Sequence, residues 1–126
     1  MAEVSEHLLK KNFDRPDETV TYEDLRVDLV TLGDLMVSRN TYRPGWKFSA
    51  SVEPWARTSS CQTGHTFYVI SGQIAVRMES GEDEELEFGP GDLGLVPPGH
   101  QAWVVGSERA EIIDFGGHMC AYGTRL

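Results

Sequence analysis

The stretch Ser59-Ser-Cys-Gln-Thr-Gly-His-Thr-Phe-Tyr-Val-Ile-Ser-Gly72 sets the fold. From Thr66 it reads as a strand rich in β-branched and aromatic residues, closed by Ser71-Gly72. A second run, Gln73 to Glu79, follows at once and pairs with it around that turn. The same grammar recurs outward. Val27, Leu29 and Thr31 alternate with Arg26, Asp28 and Val30; Gly33-Asp34 is a turn; Leu35 to Tyr42 continues as a strand and stops at Pro44-Gly45. "WKFSASV" (46–52) is a further candidate strand, and 53–60 a loop. Downstream, "SGEDE" turns into "LEF", "LGLV" is halted by "PPG", and "QAWVVG" and "AEIIDF" are the last clear strands. Many short strands, thirteen glycines, six prolines and no long helical period predict an all-β sandwich, jelly roll or closed barrel.

The 126 residues argue for one domain. A chain of this length buries roughly two-thirds of its unfolded surface, enough for a core without staples. The net charge of −9 repels phosphate backbones, so nucleic acid and anionic membranes are expected to be excluded as partners. Part of that charge sits in "ESGEDEELE", which reads as a solvated turn. Two cysteines, Cys61 and Cys120, make no disulfide framework. No apolar run has spanning length and no signal-peptide pattern opens the chain, so the expectation is a cytoplasmic protein with reduced thiols. Residues 1–25 read as a polar N-terminal arm, 26–117 as the barrel and 118–126 as a C-terminal tail.

Residues 61–106 resemble the cupin family's paired motifs. "GDLGLVPPGHQAWVVG" carries Gly91, five residues, Pro97, Pro98 and Gly99 at the spacing of the second motif. Counting back from Gly72, His65 stands in the first motif's glutamate column, Cys61 in its second histidine column and Ser59 in its first. The second motif's histidine and asparagine columns hold Ala102 and Gly106. His100 lies two residues before Ala102, and in a strand it shares that face. The resemblance implies a double-stranded β-helix, or jelly-roll barrel, with a small-molecule site inside.

Cys61, His65 and His100 are the candidate metal ligands. One thiolate and two imidazoles suit Zn²⁺ best, with copper or iron as alternatives, and leave an open position as in catalytic zinc sites. Equally, a cysteine and two histidines can be core or ligand-binding side chains without a metal. Phe67, which shares the parity of His65, and Trp46 and Trp55, in or near loops, are the candidate pocket residues, the two tryptophans as a lid. Three functions stay open: a metal-dependent barrel acting on a small molecule, a metal-free binding or sensing module, and a structural homodimer assembled through sheet edges and the arm.

Overall fold

The computed structural model describes residues 7–51, 64–79 and 84–116. Among these residues nine strands form two antiparallel sheets. The larger is built from β1 (Glu18–Tyr22), β2 (Leu25–Leu32), β3 (Leu35–Tyr42), β4 (His65–Ser71), β7 (Leu93–Val96) and β9 (Ala110–Gly116), in the order β1-β2-β3-β9-β4-β7. The smaller holds β5 (Ile74–Met78), β6 (Glu85–Phe88) and β8 (His100–Val104), in the order β6-β5-β8. The expected all-β jelly-roll barrel is what forms.

Period-two patterning decides which side chains enter the space between the sheets. In β4, His65, Phe67 and Val69 are buried while Thr66, Tyr68 and Ile70 are exposed. β9 repeats this with Ala110, Ile112 and Asp114 buried. Leu25, Val27 and Leu29 of β2, Ile74 and Val76 of β5, and Val96 of β7 complete the core with Tyr42, Trp46 and Phe48.

Two glycines are required by their neighbours. Gly72 turns β4 into β5 at φ +77°, and a Cβ there would stand 2.4 Å from the Arg109 carbonyl oxygen. Gly72→Ala is therefore expected to lower stability by about 2 kcal/mol, from left-handed strain and a backbone clash that no rotamer relieves. Urea unfolding would show it as a lower midpoint at unchanged slope. Gly94 faces Phe67 across the β4–β7 pair, and a Cβ there would lie 2.5 Å from the Phe67 ring. Its missing side chain makes room for Phe67, which meets Phe88 edge-on at 5.1 Å.

Two expected elements differ. "WKFSASV" does not form a strand: Lys47 makes one isolated bridge to Trp103, and Phe48–Ser51 is a four-residue helix, α1. Trp46 and Phe48 alternate as a strand would, but Ser51 is buried next, three residues after Phe48, which breaks the period. The expected arm also contains a strand. β1 pairs residue for residue with β2, so the sheet begins at Glu18 and not at Arg26. "ETVTY" alternates weakly and lies at a solvated edge, and its polar setting masked the pattern.

Residues 11–17 fold back on the same sheet. Lys11 bridges Asp17 at 2.9 Å, Arg39 bridges Asp14 at 3.2 Å, and the Arg39 guanidinium sits 5.6 Å from the centre of the Phe13 ring. Beneath them Asp28 is buried and accepts from Thr19, Arg26 and Arg39. Burial pushes this carboxyl up, but the hydrogen bonds from Arg26, Arg39 and Thr19 outweigh it and hold Asp28 below the ordinary range.

Candidate functional site

The two histidines reach the barrel interior from opposite sheets. His65 opens β4 and His100 opens β8, straight after the Pro97-Pro98-Gly99 corner. Both are buried, and their ring centroids lie 5.3 Å apart at an interplanar angle of 75°. They share a cavity of about 40 Å³ with Tyr42, Trp46, Phe67, Ile74, Val76, Val96, Ala102, Ile112 and Asp114. Ala102 and His100 line it together, as same-face positions of one strand must.

Each imidazole is held by its Nδ1. His65 Nδ1 donates to Asp114 Oδ2 at 2.8 Å, and His100 Nδ1 donates to the Pro97 carbonyl oxygen at 2.8 Å. A carbonyl only accepts, so the proton of neutral His100 sits on Nδ1 and the lone pair on Nε2. The Asp114 carboxyl oxygen, as the acceptor, assigns the Nδ1–H tautomer to His65 as well. Burial is the main influence on His100 and drives its pKa down to about 4; the Pro97 bond opposes this, and the neighbouring His65 adds to the lowering. The ring is therefore neutral at pH 7, with a basic nitrogen free of its proton.

Asp114 was not singled out in the sequence. The signal was there: in "AEIIDF" it takes the buried parity of Ala110 and Ile112, where a carboxylate needs a partner. Its position depends on a register shift. Thr66 pairs with Gly116 but Phe67 with Asp114, so β9 carries one extra residue beside the site. Asp114 Oδ1 accepts from the Gly116 amide at 3.1 Å while Oδ2 takes the His65 proton. With both oxygens engaged, Asp114 orients His65.

The structure thus brings together His65, His100, Trp46 and Phe67 of the expected set. Cys61 and Trp55 lie outside the described residues. Trp46 is not a lid: it is 1% exposed and forms part of the cavity wall against Tyr42. Among the described residues no three His, Cys, Asp or Glu side chains converge as a metal cluster. A larger open groove of about 530 Å³, lined by Lys47, Arg77 and Trp103 among others, contains no histidine and meets the histidine cavity only at Ala102.

No protein-family model matches the chain, and no curated protein does. Solved structures do. A mutant of Bacillus subtilis oxalate decarboxylase OxdC superimposes with a TM-score of 0.60 at 19% identity, over 82% of this chain and 29% of that one. HppE in its FeII form gives 0.61 at 11% identity, over 91% of this chain and 64% of that one. The fold is that of the cupin barrel. A protein of unknown function (DUF1255) from Acidithiobacillus ferrooxidans matches with a TM-score of 0.57 at 17% identity, over 80% of this chain and 88% of its own. At these identities the cupin likeness carries the architecture, and chemistry must be argued from the site. The chain spans less than a third of the oxalate decarboxylase.

Proposed function

We propose that the cavity is a divalent-metal site that takes up a small molecule, with His65 and His100 as protein ligands. The carrying observation is the matched restraint of the two rings. Metal-binding histidines typically donate their second ring N–H to a carboxylate or a backbone carbonyl, and here one ring does each. Two imidazoles sharing one tetrahedral ion would have ring centres about 5 Å apart, given metal–nitrogen bonds of about 2 Å, which the observed 5.3 Å accommodates. Two imidazole nitrogens as donors favour zinc, with copper or iron as alternatives; the solved structure of HppE in its FeII form supports iron as one of them. Cys61 is the candidate third ligand.

When bound, such an ion supplies Lewis acidity and lowers the pKa of a coordinated water. The chain's own contribution is positional. Asp114 and the Pro97 carbonyl fix ring orientation, while Phe67, Val76, Val96 and Ile112 keep the surroundings apolar. About 40 Å³ admits a ligand of only a few atoms beside these walls, far below the space a drug-sized molecule needs. The reaction class stays unassigned. A metal-free binding module is the second reading, favoured by the lack of a three-donor cluster among the described residues.

Metal analysis of untagged protein, purified without chelator, decides between them. Wild type is expected to carry near-stoichiometric metal, and His65→Ala and His100→Ala to lose it. Asp114→Asn should keep the fold and weaken metal binding by roughly 10- to 100-fold, as loss of an orienting partner does. No metal as purified, together with no uptake of Zn²⁺, Cu²⁺ or Fe²⁺, would leave the metal-free module.

A further inference from the structure

The smaller sheet has two faces. In β8, His100, Ala102 and Val104 turn towards the cavity, and Gln101 and Trp103 turn outward. Across the register Gln101 meets Arg77 of β5, and Trp103 meets Ala75. On the side of β8 away from β5, Lys47 bridges to Trp103. These outward side chains wall the groove of about 530 Å³, which shares only Ala102 with the histidine cavity. Its volume falls within the roughly 300–1,000 Å³ usual for small-molecule sites.

Arg77 decides what such a molecule carries. It stands opposite Glu85 of β6 in register, where a cross-strand ion pair would be the ordinary outcome. No ion pair forms there; the guanidinium lies over Trp103 instead, 5.9 Å from the ring centroid. An arginine held on an aromatic face keeps its in-plane N–H groups for an acceptor, and its fork matches a carboxylate. Lys47, exposed on the other flank of Trp103, also has no carboxylate partner among the described residues. The half-buried indole therefore stands between two cations. The groove's one acid, Glu79, lies four positions from Ala75, about 13 Å along the strand from the level of Lys47 and Trp103. With Glu79 and Glu85 on the far side of Arg77, a singly charged head group is favoured over a dianion such as phosphate.

We infer that this groove is a second ligand site, for a small aromatic carboxylate, with the carboxylate between Lys47 and Arg77 and the ring against Trp103. The site faces away from the two histidines and stands whether or not they hold a metal.

Isothermal titration calorimetry of the full chain with benzoate tests this. One benzoate is expected per chain, with the same affinity before and after chelator treatment, because no metal is needed to hold the carboxylate. Arg77→Gln and Lys47→Gln should each weaken binding about 10-fold, as loss of a charged hydrogen-bond donor does. Trp103→Leu should weaken it about 5-fold through lost ring packing. Lys10→Gln, at an exposed cation elsewhere, should change nothing. Acetate (charge without ring) and benzyl alcohol (ring without charge) should bind about 10-fold more weakly than benzoate, and inorganic phosphate no better than acetate. Circular dichroism checks that each variant folds; if Trp103→Leu does not, the two glutamine variants, at exposed positions, decide. No saturable benzoate binding, binding that both glutamine variants leave unchanged, binding lost on chelation, or acetate or phosphate binding as tightly as benzoate overturns the proposal.

Discussion

Trp46→Ala is expected to cost about 4 kcal/mol of folding stability, the range seen when a large buried aromatic is truncated to a methyl. A lid residue would cost well under 1 kcal/mol, so the measurement separates the two positions sharply. The physical reason is the turn that precedes Trp46. Gly45 adopts φ +90°, the Trp46 amide donates to the Arg43 carbonyl, and the Trp46 carbonyl accepts from the Val104 amide at 3.0 Å. This ties the residue to β8 and points its ring onto Tyr42, with centroids 4.5 Å apart. Truncation would remove the part of the histidine cavity's wall that stands beside Tyr42. Trp46→Phe should cost only about 1–2 kcal/mol, because it retains an aromatic ring and deletes an indole N–H that is buried without an acceptor. Urea unfolding of the three proteins gives all the values. A loss below 1 kcal/mol for the alanine variant would return Trp46 to the periphery.

That residue also shows where sequence reading stops. The strand at 65–71 was legible because every second residue is apolar and the turn after it is Ser-Gly. The inward facing of Phe67 follows from parity with His65, and that of His100 from parity with Ala102. Trp46 lines the cavity as expected and differs only in not being a lid, because the direction of a chain leaving a Pro-Gly turn is set by distant hydrogen bonds, here from Val104. Asp114 was missed for a related reason. Its pairing with His65 spans 49 residues and needs the extra residue in β9, which no local pattern announces. β1 was hidden because an edge strand needs only one partner and keeps a polar face. Local alternation thus carried most of the strands, whereas the site depends on register between strands far apart in the chain.

Acidification is expected to remove about 3 kcal/mol of stability from chelator-treated protein between pH 6.5 and pH 4, and the group responsible is His100. In the unfolded chain its pKa is the ordinary 6.5, and in the barrel burial holds it near 4. Between those values the unfolded state binds the proton and the folded state does not, so stability rises with pH across the window. The contribution is complete above about pH 6.5 and is lost as pH falls through 4. A separation of this size corresponds to about 3 kcal/mol. Asp28 acts in a lower window. Its carboxyl is held below the ordinary 3.8 in the fold, so its contribution is present above that value and fades only as pH falls further. The two can therefore be read apart in one titration. In His100→Gln, whose amide can still donate to the Pro97 carbonyl, the loss between pH 6.5 and 4 should shrink to a small remainder, while the drop below pH 4 persists. Urea unfolding at half-unit intervals of pH gives both curves. Parallel curves for wild type and His100→Gln would mean that His100 is not held neutral by burial, and the case for its Nε2 as a ready donor in the cavity would fall with it.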